Sequence, residues 1–166
     1  MKEFVLAFYG LKPGIHTYNF EIGKTFFSAF ENSLIEDADF HVTLSLDKQP
    51  TMLTLSFSGK GEIRDFCDRC GDPLTMKSEV SDEIIVKFGD EDYEQTDEIL
   101  VLSRDTHDVD IAPMIYEMIV LHLPFKRVHK NRSACNAEVL AKLSEKESRN
   151  EQNETDPRWE ALKKLK

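Results

Sequence analysis

Polar and apolar residues alternate along much of the first hundred positions, and a period of two predicts β-strands with one buried and one exposed face. The clearest cases are residues 42–46 and 53–57, where Val, Leu or Phe alternate with Ser and Thr. The short stretch between these two segments predicts an antiparallel pair. Further strands are predicted at residues 62–66, 79–88 and 99–102, the last of them short and buried.

The N-terminal segment predicts an opening hairpin followed by a short helix. Residues 4–8 form an apolar run, Lys12-Pro13-Gly14 is a turn signal, and residues 16–20 alternate weakly. This order predicts two strands joined by a long connection. Three phenylalanines within residues 24–32 would share one side of a short helix.

The main helix is predicted at residues 111–123. Asp110 precedes this segment, and Pro113 stands in the first turn, where a missing N–H is tolerated. Pro124 ends the helix because proline cannot continue it. A stripe at helical spacing marks the predicted buried face: Ile111, Ile115, Met118, Ile119 and His122.

The C-terminal part of the chain changes in character. Residues 144–156 contain no aliphatic or aromatic side chain, so they predict a polar linker. The linker would separate one compact domain, residues 1–143, from a short amphipathic tail helix, residues 157–166. The expected fold class is α+β, with a mainly antiparallel β-sheet or partly open barrel, one main helix and the tail helix on its linker.

Composition narrows the class of protein. The chain has 166 residues, of which 40% are hydrophobic and 31% charged, and this balance fits one compact core with solvated tails. No apolar run approaches the roughly 18 residues of a membrane span, and the N-terminus lacks the pattern of a secretion signal. A cytoplasmic protein is therefore expected, and its three cysteines are not expected to form a disulfide framework.

Charge is distributed unevenly. Residues 1–125 carry 10 Lys and Arg against 24 Asp and Glu, whereas residues 126–166 carry 11 against 7. An acidic body with a basic C-terminal quarter can be oriented by a polyanion or by a basic partner. The alternative is that these charges only keep the surface solvated.

The motif Cys67-Asp68-Arg69-Cys70-Gly71 is the sharpest local feature. Two thiolates separated by two residues can reach one metal ion, and the following glycine permits a tight turn beneath them. The motif alone is half of a zinc site. Cys135 and His129 would complete a tetrahedral Cys₃His set, and all three cysteines of the chain would then be used.

Two alternatives to zinc remain open at this stage. A thioredoxin-type redox motif places its cysteine pair at the start of a helix in a parallel α/β pattern, whereas this pair follows a strand in an antiparallel pattern. His129 and Cys135 would otherwise be ordinary surface or core residues. No nucleotide-binding glycine pattern, nucleophile elbow or distinctive carboxylate pair indicates an enzyme.

Two basic features could contact a partner. The first is a loop of four cations beside the proposed ligand His129: Lys126, Arg127, Lys130 and Arg132. If zinc orders this loop, its charges form a compact patch for phosphates or for an acidic protein surface. The second is the tail, which combines an apolar face with neighbouring lysines, a pattern that predicts docking on a partner: Trp159, Leu162 and Leu165.

Several of these elements together resemble the YceD family, the large ribosomal RNA subunit accumulation proteins. They are the Cys-x₂-Cys motif after a strand, the apolar helix ending at Leu123-Pro124, His129, Cys135, the polar linker, and the final sequence Asp-Pro-Arg-Trp-Glu-Ala-Leu-Lys-Lys-Leu of residues 156–165. The resemblance covers roughly the last hundred residues. It implies a bacterial protein that is needed for accumulation of large-subunit ribosomal RNA.

The expected function is therefore a non-enzymatic role in ribosome assembly through a zinc-stabilised binding platform. Its partners would be large-subunit ribosomal RNA or a ribosomal protein, with no membrane and no small-molecule substrate. The alternative is a thiol redox or hydrolytic enzyme that uses the Cys-x₂-Cys site. A reactive thiol of low pKa would favour that alternative, whereas stoichiometric metal would favour the binding platform.

Overall fold

A long hairpin of two strands forms the centre of the sheet. In a computed structural model that describes residues 2–89, 96 and 98–150, strand β3 (Asp37–Lys48) pairs antiparallel with β4 (Met52–Phe66). Leu44 lies opposite Phe57, and Leu46 lies opposite Leu55. The predicted antiparallel pair is confirmed, because hydroxyl residues alternate with these buried side chains and give the sheet one apolar face.

The sheet has five strands and remains open. Its order is β2-β3-β4-β5-β6, with β2 (Gly14–Ile22) at one edge and the short β6 (Ile99–Leu102) at the other. Strand β5 (Pro73–Phe88) lies beside β4, and β6 pairs with it in parallel. The predicted α+β class, rich in antiparallel sheet, is confirmed, and the sheet is open rather than closed as a barrel.

The predicted opening hairpin is wrong. Strand β1 (Val5–Ala7) pairs antiparallel with the distant β7 (Asp108–Asp110), so that Leu6 lies opposite Val109, while β2 pairs with β3. The Lys48 ammonium donates hydrogen bonds to the backbone carbonyls of Phe8, Tyr9 and Leu11. These bonds tie the chain after β1 to the end of β3, a non-local arrangement that local alternation does not reveal.

Helix α2 (Ala112–Leu121) supplies a second layer of the core. The Asp110 carboxylate accepts a hydrogen bond from the Ala112 N–H, and Pro113 lies in the first turn. The four apolar residues of the predicted stripe are buried. His122 is exposed, because the helix ends at Leu121, one residue before it. Short helix α1 (Lys24–Phe27) adds Phe26 and Phe27 to the same core.

A third helix occupies part of the predicted linker. Helix α3 (Ala137–Asn150) includes residues 144–150, so the polar linker does not begin at residue 144. The Asn136 side chain accepts hydrogen bonds from the N–H groups of Glu138 and Val139 and so caps the helix. Residues 151–166, which include the predicted tail helix and Trp159, Leu162 and Leu165, lie outside the described residues.

Contacts within the chain group its residues into two compact units. Unit 1 comprises residues 1–65 and 75–125, and the apolar core cluster lies within it. Unit 2 comprises residues 66–74, which connect β4 to β5, and residues 126–166. No helix in the part of the chain that the structure describes is long and apolar enough to cross a membrane.

Candidate metal centre

The connection between β4 and β5 folds into a tight turn that carries two cysteines. The Gly71 N–H donates to the Cys67 carbonyl, and the Cys67 N–H donates to the Asp72 carbonyl, both at 2.8 Å. Gly71 adopts a φ of 77°, in the left-handed region that glycine occupies without a Cβ penalty. The turn therefore brings Cys67 and Cys70 to the same side, as the sequence motif requires.

The segment after α2 brings the other two residues to this turn. Asp68 and Arg127 join the two segments, since the Asp68 N–H donates to the Arg127 carbonyl and the Asp68 carboxylate accepts from the Arg127 N–H, each at 2.7 Å. A short 3₁₀ turn, Arg132–Ala134, then leads into Cys135, whose N–H donates to the Arg132 carbonyl. Both segments belong to unit 2.

Four side chains converge at this junction. The sulfur atoms of Cys67, Cys70 and Cys135 and a ring nitrogen of His129 all lie within 4.8 Å of one another. The three cysteines are buried and none forms a disulfide, and His129 is half-buried. The structure therefore brings together all four predicted ligands in a Cys₃His cluster that is compatible with metal binding.

The distances within the cluster fit a tetrahedral ion. A zinc ion bound to sulfur at about 2.3 Å and to nitrogen at about 2.0–2.1 Å holds these ligand atoms about 3.6 Å apart. His129 Nδ1 lies 3.6 Å from Cys70 Sγ and 3.6 Å from Cys135 Sγ. The donor set also suits zinc, which binds thiolates and imidazoles in closed structural sites.

The contacts of His129 suit the tautomer that a metal requires. Its other ring nitrogen, Nε2, lies 3.3 Å from the Pro73 carbonyl oxygen. A carbonyl oxygen only accepts hydrogen bonds, so Nε2 is the donor in this contact, and Nδ1 faces the sulfurs. Such a hydrogen bond from the second nitrogen is the usual support of a metal-bound histidine.

The surroundings of Cys67 favour its thiolate. Burial acts to raise the pKa of the Cys67 thiol, but backbone N–H groups that donate to its sulfur outweigh burial and lower this pKa to about 6. Those N–H groups belong to His129, Arg69 and Cys70. They come from both segments of the site, so the assembled fold itself stabilises the anionic sulfur.

Cys135 experiences the opposite effect. Burial raises the pKa of its thiol, and the neighbouring Cys70 and Cys67 raise it further, although a hydrogen bond from Arg69 opposes both. Three sulfurs this close therefore do not all ionise without a compensating positive charge. A metal cation bound by these side chains would supply that charge.

Arg69 and Asp68 contact the candidate site, and the sequence reasoning missed both. They lie between the two cysteines of the motif, where the sequence analysis considered only the spacing. Arg69 Nη1 lies 3.6 Å from Cys135 Sγ and places a positive charge beside the cysteine cluster. Their location between two candidate metal ligands is the signal that could have identified them.

Few side chains of unit 2 are buried in the part of it that the structure describes. Among its residues with described side chains, 66–74 and 126–146, the buried ones are Cys67, Cys70, Leu74 and Cys135. Segments with so few buried side chains are ordinarily held by a disulfide or metal, because their apolar contacts do not offset the entropy of ordering the chain. Three cysteines at the centre of unit 2 are consistent with stabilisation by a metal.

A known protein family matches the part of the chain that contains the cluster. A family model described as "Large ribosomal RNA subunit accumulation protein YceD" matches residues 55–166, which include every member of the Cys₃His cluster. The chain belongs to the YceD family. The resemblance inferred from the sequence motifs is thus confirmed. No curated protein and no solved structure has a significant match to this chain.

The basic loop of this YceD-family chain divides into two groups. Lys126, Lys130 and Arg132 are exposed. Arg127 is half-buried, and its Nε lies 4.0 Å from the Asp68 carboxylate. Three of the four predicted cations are therefore presented to solvent, whereas Arg127 contributes to the junction between the two segments.

Proposed function

We propose that this YceD-family chain is a non-enzymatic factor in large-subunit ribosomal RNA accumulation and ribosome assembly. In this proposal unit 2 is a zinc-stabilised platform that contacts ribosomal RNA. The observation that carries the proposal is the Cys₃His cluster, whose residues all fall within the segment matched by the family. The family's printed description supplies the link to large-subunit ribosomal RNA.

Zinc has a structural role in this account. The four ligands come from two segments that are more than fifty residues apart in the sequence, so one ion joins them. The binding energy of a structural zinc ion adds directly to folding. A closed set of four protein ligands leaves no open position for substrate, and this favours a structural over a catalytic ion.

The exposed cations of the loop provide the contact with RNA. Lys126, Lys130 and Arg132 lie within six positions of one another beside the cluster, so zinc would fix their positions. Preorganised cations contact phosphates without the entropic cost of ordering a free loop. Three phosphate contacts give modest affinity, so other surfaces of the chain must add to binding.

One observation favours the alternative of a thiol redox enzyme. The pKa of Cys67 is lowered to about 6 by backbone hydrogen bonds, and reactive cysteines are thiolates of this kind. However, Cys67 is only 2% exposed, which restricts access by an oxidant or substrate. A metal ion in the Cys₃His cluster would also bind the Cys67 thiolate.

Alkylation separates the two functions. If zinc holds the cluster, iodoacetamide modifies all three cysteines slowly until a chelator is added, and then modifies them together. A redox enzyme would instead show one rapidly modified cysteine, with the chelator having no effect. Unfolded protein provides the reference rate for a freely accessible thiol.

Complementation in cells tests the proposed function. A strain lacking the gene is supplied with the wild-type chain, with Cys135→Ser, or with a triple variant in which Lys126, Lys130 and Arg132 become Gln. The wild type is expected to restore the ratio of large- to small-subunit ribosomal RNA, and both variants are expected to fail. The matched control replaces Lys142 and Lys146, two exposed cations of α3, by Gln. Full complementation by the Cys135→Ser and triple variants would contradict the platform.

A further inference from the structure

A cleft in unit 1 lies outside the metal cluster and has no role in the proposal above. Its volume is about 520 Å³, within the range of sites that hold small ligands. Phe8, Tyr9 and Phe88 contribute aromatic surface, and Lys48, Arg104 and Thr106 contribute polar groups. The cleft therefore combines flat apolar surface with hydrogen-bonding groups.

The charge of this cleft differs from that of the unit around it. Unit 1 is strongly acidic, yet the charged side chains among the described residues that line the cleft are Lys48 and Arg104. Lys48 donates to three backbone carbonyls, so it contributes positive charge but has no remaining N–H donor. Arg104 is exposed and has no ion pair or hydrogen bond within the described part of the chain, so its donors are available to a ligand.

The aromatic surface is exposed and held in place. Tyr9 is 67% exposed, although its ring packs on His107 with centroids 4.4 Å apart. The N–H groups of Phe8 and Tyr9 both donate to the His107 carbonyl, and this fixes the backbone beneath the ring. A fixed, exposed aromatic ring is a surface on which a nucleobase stacks at low entropic cost.

We infer that this cleft binds a nucleotide, with the base against Tyr9 and the phosphate at Arg104. A nucleotide joins a flat aromatic group to an anion, and the cleft offers a complement to each. An acidic peptide would engage the cations but would leave the aromatic surface unused. We expect the nucleotide to be part of a single-stranded RNA. This expectation rests on the proposed function, because a ribosome-assembly factor encounters unpaired ribosomal RNA.

Fluorescence anisotropy of the full-length chain tests this inference. The probe is a labelled single-stranded RNA of roughly ten nucleotides, within the span of known single-strand sites. Tyr9→Leu is expected to weaken binding by about fivefold or more, because it removes base stacking but keeps apolar volume. Arg104→Gln is expected to weaken binding and to lower the salt slope by about 0.7, the contribution of one phosphate on a single strand.

Matched variants control for general effects. Phe125→Leu replaces an aromatic residue of unit 1 that is 98% exposed, and Lys24→Gln removes an exposed cation of the same unit. Both controls are expected to bind RNA as the wild type does. All four variants alter exposed side chains and are expected to keep the wild-type melting temperature.

The outcomes separate this inference from the proposed function. Wild-type affinity in Tyr9→Leu and Arg104→Gln, or no RNA binding by the wild type, would overturn the cleft inference. If free nucleoside monophosphates displaced the labelled RNA at a concentration equal to that of the RNA, the ligand of the cleft would be a free nucleotide and not RNA. Cleft-dependent RNA binding in a chain that fails to restore large-subunit ribosomal RNA would support the cleft and contradict the proposed function.

Discussion

Asp68 and Arg127 hold each other through their backbones and through the Asp68 carboxylate. The N–H of each residue donates a hydrogen bond of 2.7 Å to the other, one to a carbonyl and one to the carboxylate. Asp68 stands between Cys67 and Cys70, and Arg127 stands two residues before His129. This pair therefore fixes the register in which the two ligand-bearing segments meet.

The Asp68 carboxylate is expected to support metal binding. Asp68→Ala removes the acceptor of the Arg127 N–H, so zinc affinity should fall about tenfold or more, as for other groups that orient metal ligands. Competition with a chromophoric chelator measures this affinity. Asp68→Asn keeps an acceptor oxygen for the Arg127 N–H and should lose less zinc affinity. The ion pair that it removes, between the Asp68 carboxylate and Arg127 Nε at 4.0 Å, is partly exposed and contributes little to stability.

Asp72 provides the control for this prediction. Its carboxylate lies on the same turn, but its hydrogen bond to Cys67 is made by the backbone carbonyl. Asp72→Ala should therefore bind zinc with nearly wild-type affinity. Equal losses in Asp68→Ala and Asp72→Ala would show that general charge near the site, and not the hydrogen bond, determines affinity.

The four residues of the cluster were predictable from the sequence, whereas the contacts around them were not. Cysteine spacing predicts a metal-binding turn, because two thiolates separated by two residues can reach one ion. The contacts of Asp68 with Arg127 and of Arg69 with Cys135 depend on how two distant segments meet. The local sequence of either segment does not specify its position relative to the other.

The pH dependence of the site should follow the two thiols with shifted pKa values. A Cys67 pKa of about 6, below the ordinary value of 9.0, stabilises the folded site fully above pH 9. This stabilisation falls as pH decreases toward 6 and is absent below it. Cys135, whose pKa is raised, takes up a proton before Cys67 as pH decreases in the metal-free chain. A bound metal competes with protons for the thiolates and so shifts their protonation to lower pH.

Cobalt substitution makes these transitions visible. The absorption band of thiolate-bound Co²⁺ should decrease as pH falls, because protons compete with the metal for the thiolates. Cys135→Ser should bind little Co²⁺, because it lacks one of the four predicted ligands. A thiolate–Co²⁺ band of wild-type intensity in Cys135→Ser would contradict the assignment of Cys135.

The three exposed loop cations should account for most of the RNA contact by unit 2. Replacing Lys126, Lys130 and Arg132 by Gln should lower the salt slope of RNA binding by about 2, at roughly 0.7 for each phosphate contact on a single strand. Arg127→Gln should change the slope less, because Arg127 is half-buried beside Asp68. A larger slope change in Arg127→Gln than in Lys130→Gln would contradict this division of the loop.

The tail is predicted from sequence to dock on a partner. Trp159, Leu162 and Leu165 recur every third residue beside lysines. Together they would stabilise a docked helix by about 5 kcal/mol, at about 1.5–3 kcal/mol for each buried side chain. Deleting residues 157–166 should leave the melting temperature nearly unchanged and reduce association with ribosomal particles. A large loss of stability with association intact would show that the tail serves the fold.

Two features of the fold escaped prediction for physical reasons. Strand β1 pairs with β7, about a hundred residues away, and alternation of polar and apolar residues does not specify a strand's partner. Helix α3 extends through residues 144–150, where the absence of apolar residues suggested a linker. The cap at Asn136 and the helix-forming residues that follow it were the available signal.

Native mass spectrometry of the untagged full-length chain tests the central claim most directly. We predict one zinc ion per wild-type chain. Cys135→Ser should lose the zinc, and its unit 2 should lose its ordered structure, while unit 1 keeps its own apolar core. Hydrogen exchange on the same samples reports each unit separately. The control is His16→Ala, which changes a half-buried histidine of β2 outside the cluster and should retain its zinc. The zinc-stabilised platform would be contradicted if the wild-type chain contained no metal and unit 2 were as protected from hydrogen exchange in Cys135→Ser as in the wild type.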